Sequence, residues 1–320
     1  MKSVKFVVAV AALVLSFACA AQPYPSRPIR FIVPFPPGGG TDLLARTIST
    51  RLREALGQPV VVDNRGGAGG IVGSEIAARA PADGHTLLLG SPGSLSINPH
   101  LGKLTYDPVR NFTPVVQATL SPFTLTASMS SPANSVKDVI ALAKAKPGSL
   151  LFGSSGTGAT GHMAGEQFKL LTGTDIVHVP FKGSAQATTA LMGGEVQLTF
   201  ENLPVVLLHA RNRRLKILAV GSLERSSMAP DIPTMREAGV PGYEAVTCFG
   251  VLVPAGTPRA IVERLNREIV RILNEPGVRE PLSNRGMQIV AGTPEAYAAY
   301  LRHEFKLYGD IIRKAKIRID

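Results

Sequence analysis

Two segments of this sequence gather residues able to meet a ligand, and each stands where an apolar run gives way to a helical period. The first is Pro34-Phe35-Pro36-Pro37-Gly38-Gly39-Gly40-Thr41-Asp42. Glycines let the backbone approach a bound group. The first turn of a helix adds unpaired N–H groups and the positive end of a dipole, so the chemistry implied is anion binding. The plain alternative is a tight strand-to-helix turn, but three consecutive glycines exceed what a turn needs. Phe35, Pro37, Gly38, Gly39 and Thr41 are the contacts expected here. Asp42 stands with them and is expected to stabilise the helix start rather than act as a base.

The second segment is Gly153-Ser154-Ser155-Gly156-Thr157-Gly158-Ala159-Thr160-Gly161-His162. Its hydroxyls form a rim suited to a carboxylate, with Ser154, Ser155, Gly158 and Thr160 as expected contacts. His162 is placed in the first helical turn, where a neutral packed or capping role is favoured over a general base. Gly156, Gly158 and Gly161 also spell G-x-G-x-x-G, with Asp175 near the place of a ribose-binding acid. This leaves a dinucleotide-dependent oxidoreductase as a competing reading. The motif alone is weak, however, and it lies in mid-chain. Such a cofactor is also scarce outside the cytoplasm, so no cofactor is expected.

Other candidates follow predicted strands. Ser91, Ser94 and Asn98 stand where open α/β sheets bind ligands, at strand carboxyl ends. Gly66-Gly67-Ala68-Gly69-Gly70 reads slightly better as a flexible loop than as a contact. Lys182 is equally a ligand partner or a solvated loop residue. Glu201, before Asn202, either caps the helix that follows or meets a cationic group of the ligand, and the anion-directed design of the other loops favours the cap.

Catalytic and metal templates are missing: there is no G-x-x-x-x-G-K-[ST], H-E-x-x-H or G-x-S-x-G, and the six histidines are scattered. Cys248, beside Phe249 in an apolar stretch, is expected to be an inert buried thiol. An enzyme is not expected. The formal net charge of +11 favours anionic partners. Without a basic block, an aromatic platform or any Trp, that partner is a small organic anion and not nucleic acid.

The opening residues read as a secretory signal peptide over residues 1–20. Lys2 and Lys5 form the positive region, residues 6–17 an apolar run, and Ala18-Cys19-Ala20 a cleavage site. Its loss lowers the charge by two to +9 and leaves Cys248 as the one remaining cysteine, so the fold must rest on its core. The expected location is the periplasm.

From there the chain alternates strands and helices, which predicts a mixed, mostly parallel α/β architecture. Candidate strands are residues 29–33, 60–62, 87–89, 150–153, 176–179, 196–200 and 215–220. Leu44, Ala45, Ile48, Leu52 and Leu56 share one helix face, and a second helix is expected near residues 71–79. Ser135 and Asp138 make a capping-box variant. Thr257-Pro258 and Thr293-Pro294 each predict an N-cap before proline at the first helical position. Two lobes are expected: residues 21–125 with 246–320, and residues 126–245.

The combination resembles the Bug-type family, the solute receptors of tripartite tricarboxylate transporters. The motifs carrying the resemblance span nearly the whole mature chain in order. They are Tyr24-Pro25-Ser26-Arg27-Pro28-Ile29, Pro36-Pro37-Gly38-Gly39-Gly40-Thr41-Asp42, Asn64-Arg65-Gly66-Gly67-Ala68-Gly69-Gly70, Ala80-Pro81-Ala82-Asp83-Gly84, Gly153-Ser154-Ser155-Gly156-Thr157-Gly158, His178-Val179-Pro180-Phe181-Lys182-Gly183 and Pro254-Ala255-Gly256-Thr257-Pro258. The resemblance implies a two-lobed periplasmic binding protein of type II that closes on a carboxylate partly through ordered water. It also implies membrane transporter subunits as partners. Expected ligands are di- or tricarboxylates, aromatic acids or acidic amino acids, bound by a monomer. The family's first loop falls on residues 35–42, its second-lobe anion loop on residues 154–160 and its cleft acid on Glu201, where the family pattern leads one to expect Asp. A carboxylate sensor partner of a two-component system is a further alternative.

Overall fold

The computed structural model describes residues 24–38 and 40–318. The signal peptide read in residues 1–20, and Gly39, lie outside the described residues. Strand β1 (Ile29–Val33) is almost wholly apolar and buried, as a strand covered on both faces must be. Helix α1 (Gly40–Leu56) buries the predicted stripe Leu44, Ala45, Ile48, Leu52 and Leu56. It stops where Gly57 takes φ +70° and its N–H bonds to the Arg53 carbonyl at 3.0 Å. β2 (Val60–Asn64) and β3 (Thr86–Gly90) flank β1 in parallel, with α2 (Ile71–Ala78) between them in sequence.

The sheet takes its shape from two long strands, β4 (Phe112–Ser128) and β9 (Val246–Pro254). From Phe112 to Pro122, β4 pairs antiparallel with β9, which in turn pairs with β3. From Phe123 onward it pairs antiparallel with β7 (Leu198–Asn202) and β8 (Leu215–Val220). Beyond β7 lie β5 (Leu151–Ser154) and β6 (Val177–Pro180), joined in parallel. The sheet is therefore more antiparallel than the strand–helix–strand order alone predicts, because β9 runs against the set β1–β3, β4 against the set β5–β7, and the two against each other.

Two large hydrophobic cores result, with smaller clusters beside them. One gathers Phe31, Ile48, Leu87, Val251 and Ile269 under α1 and α7 (Arg259–Asn274). The other gathers Phe152, Phe168, Phe200 and Val139 between α3 (Val136–Ala145) and α4 (Thr160–Thr172). Helices α5 (Ser184–Gly193) and α6 (Leu203–Arg211) complete the second body. The first is completed by α8 (Pro276–Ser283) and β10 (Gln288–Ile289). The last helix, α9 (Pro294–Ala315), packs on β4 and also reaches α4, where Tyr308, Ile311 and Ile312 meet Met163.

Two predicted caps form: Ser135 accepts the Asp138 N–H at 3.2 Å, and Thr293 accepts the Ala296 N–H at 3.2 Å. The cap predicted at Thr257 does not. Its hydroxyl donates instead to the Pro254 carbonyl at 2.7 Å, and the helix begins one residue later than expected, at Arg259. Cys248 is buried, and burial pushes its thiol well above the ordinary value, as an inert thiol requires.

Candidate functional site

A cavity of about 610 Å³ lies where β4 and β9 cross from one core to the other. Phe35, Gly69, Ile71, Ser91 and Asn98 line it from the first body, and Ser155 to Thr160, Ser184 and Glu201 from the second. Phe123, Thr247 and Phe249 line it from the crossing strands, with Phe249 edge-on to Phe35 at 6.3 Å between ring centres. The elements explain the placement: β3, β5 and β7 each end at this edge, so the turns that follow them converge.

On the second body, β5 ends in the turn that opens α4. Gly156 takes φ +135° and Gly158 φ +76°, conformations that favour glycine. Gly161 is glycine for a different reason, since an added Cβ would stand 2.4 Å from the Phe200 carbonyl oxygen. The G-x-G-x-x-G pattern thus has a packing cause that requires no dinucleotide. Thr160, Gly161 and His162 precede any intrahelical acceptor, and among the described residues their N–H groups have no protein partner.

Two histidines back this turn. His162 Nδ1 accepts the Gly158 N–H at 3.1 Å, and its ring stacks on His178 at 3.8 Å. Ser154 Oγ donates to the Gly156 carbonyl at 3.1 Å, so His178 Nε2 is the donor across the 2.7 Å contact with that hydroxyl. Burial chiefly, with the Lys169 charge behind it, lowers His162 to about 4. Burial, then the neighbouring His162 and Lys169, lowers His178 to about 3. Both rings are therefore neutral near pH 7, which His162 needs in order to accept.

Glu201 closes the floor. It is 2% exposed, and its Oε1 accepts the N–H of the adjacent Asn202 at 3.0 Å while Oε2 is buried without a partner. The expected helix cap does not form, because Asn202 is the N-cap of α6 and no side chain caps that helix. Burial raises its carboxyl above the ordinary value, while the Asn202 N–H and nearby Ser184 pull it back. Ser184, although that close, makes no hydrogen bond to it.

Of the residues singled out in the sequence, Phe35, Ser91, Ser155, Gly158, Thr160 and Glu201 share the cavity wall. Ser154 and His162 stand behind it, supporting the turn. Pro37, Gly38, Thr41, Asp42 and Lys182 are not in the wall, and Lys182 is exposed. Asp42 is spent inside its own turn. Its carboxylate accepts the Gly38 N–H at 3.0 Å, Arg46 Nε at 2.8 Å and Asn64 Nδ2 at 3.1 Å. The Arg46 bond, aided by the Gly38 and Asn64 donors, lowers its pKa to about 2. Sequence reasoning missed Phe123, Thr247 and Phe249, which lie in strands with no turn signal of their own, and Ile71, which directly follows the loop at residues 66–70. Thr247, a lone hydroxyl in the run Val246–Pro254, was the one available hint.

A two-bodied α/β protein with a small-molecule cavity at the crossing strands has the build of a solute-binding receptor. Residues 44–317 match the tripartite tricarboxylate transporter family receptor, and the chain belongs to that family of periplasmic solute-binding receptors. These proteins are receptors and not enzymes, so the oxidoreductase reading falls. The chain is 38% identical to the protein BugT of Bordetella pertussis, over 94% of this chain and 93% of the relative. A Rhodopseudomonas palustris structure with adipate is 37% identical, with TM-score 0.79, covering 92% of this chain and 99% of the other. MatC of the same organism, with bound malate, is 31% identical with TM-score 0.75, over 90% and 100%. Among the described residues no helix is long and apolar enough to cross a membrane.

Proposed function

We propose that this receptor captures one small carboxylate between its lobes and passes it to the membrane subunits of a tripartite transporter. The observation that carries the reading is the open start of α4, whose unpaired N–H groups and hydroxyl rim stand at the cavity, a ready anion site. Ser91, whose buried hydroxyl has no partner, faces it from the other lobe. Among the described residues the wall holds no Lys or Arg, so amides, hydroxyls and bridging water hold the ligand. The adipate and malate in similar structures fit a ligand of this kind.

The lobes in this reading are residues 21–125 with 246–320, and residues 126–245. They close by bending where β4 passes from β9 to β7, a hinge of few residues. Export through the signal read in residues 1–20 delivers a periplasmic monomer. Thermal melts against di- and tricarboxylates, aromatic acids and amino acids test the proposal. One ligand at 100 times its Kd should add about 2.7 kcal/mol. A flat response across the panel would refute it.

A further inference from the structure

The floor of the cavity carries acceptors that the protein leaves open. Glu201 uses Oε1 on the Asn202 N–H, and its Oε2 is buried and unpaired. Next to it, Asn202 gives its Nδ2 to Thr247 Oγ1 at 3.3 Å, and its Oδ1 is buried and unpaired as well. Both residues line the cavity. An acceptor removed from water without a donor is costly, and an ionised carboxylate more so.

Among the described residues no Lys, Arg or His lines the cavity to answer that charge. Lys182, the cation the sequence offered as a ligand partner, is exposed and not in the wall. Ser184, in the wall beside Glu201, makes no hydrogen bond to Oε2 and can offer a single uncharged proton, so the ligand must bring the remaining donors and the positive charge. A carboxylate arm placed here meets like charge, and a hydroxyl brings a single proton for two acceptors. An ammonium group brings three donors and a compensating charge. The opposite polarity holds at the start of α4, which offers main-chain N–H donors and hydroxyls and, in the wall, no carboxylate.

We infer that the ligand is a zwitterion, an amino acid whose carboxylate sits at the start of α4 and whose ammonium sits on Glu201 Oε2 and Asn202 Oδ1. The inference rests on the carboxylate reading above and narrows it. Glu201 is the residue that selects for the amino group.

Calorimetry on the wild-type protein with matched series decides it: succinate, malate and aspartate; glutarate, 2-hydroxyglutarate and glutamate; adipate and 2-aminoadipate. The amino member of at least one series should bind about tenfold to a hundredfold more tightly than its amino-free partner. Glu201→Gln should erase that preference while simple diacids still bind. The wild-type comparison stands even if the variant fails to fold. Equal or tighter binding of the amino-free or hydroxyl members in every series would overturn the inference and leave the carboxylate reading intact. If no member of any series binds, the carboxylate reading fails and takes the inference with it.

Discussion

Both bodies open a helix with a glycine-rich turn after a strand, yet the two turns are finished differently. In the turn before α1, the anion is already present: Asp42, from the first helical turn, accepts the Gly38 N–H and is held by Arg46 and Asn64. In the turn before α4 no carboxylate folds back. His162 takes one N–H, that of Gly158, and those of Thr160, Gly161 and His162 stay open beside the cavity. A glycine-rich helix start is thus a place for an anion, and what decides its use is whether the chain supplies that anion itself. Asp42 is a local sequence clue that the first turn is self-sufficient.

The largest expected effect separates the turns by the space around their glycines. Gly161→Ala drives a Cβ against the Phe200 carbonyl oxygen and should cost about 1–3 kcal/mol, read by urea unfolding. An alanine at Gly38 meets nothing within 4 Å, and only its φ of +90° resists, so Gly38→Ala should cost about 1 kcal/mol. Equal losses would break the distinction.

Next in size is the effect on binding. Ser155→Ala removes a wall hydroxyl and should weaken the ligand about tenfold or more, with the ligand-free melting temperature nearly unchanged. Thr41→Ala, away from the wall, should change affinity less than about twofold, within the scatter of a surface substitution. A Thr41 effect as large as that of Ser155 would return the first turn to the site.

Many strands and helices of both bodies were legible because apolar runs and helical stripes report burial directly, as β1 and α1 show, but the long crossing strands β4 and β9 were not among the strands expected. The loop residues of the site were partly legible, since glycines and hydroxyls after a strand mark a backbone approach. What lay hidden depends on distant pairing. Nothing local tells that β4 changes partners between Pro122 and Phe123, and so nothing local puts Phe123, Thr247 and Phe249 beside Ser155. Glu201 shows the same limit. It was expected to cap the following helix, which takes no side-chain cap, and its open oxygen appears only once the surrounding wall is known to hold no Lys, Arg or His among the described residues.

The smallest effects, and the sharpest separation of the turns, lie in acid. Asp42 is lowered from 3.8 to about 2 by its partners, so the unfolded chain binds its proton first as pH falls. Its contribution is present above pH 4 and is lost between about 4 and 2. His162 is lowered from 6.5 to about 4 by burial, so the unfolded chain again protonates first, and this contribution is lost between about 6.5 and 4. The turn before α4 should therefore weaken at a higher pH than the turn before α1, although each pKa is lowered. His162→Asn keeps an acceptor near the place of Nδ1 but cannot titrate, and should flatten part of the decline in melting temperature between pH 6.5 and 4. Asp42→Asn should flatten the decline below pH 4 and leave the upper window unchanged. If Asp42→Asn leaves the acid limb as steep as in the wild type, Asp42 is not the anion that completes its own turn.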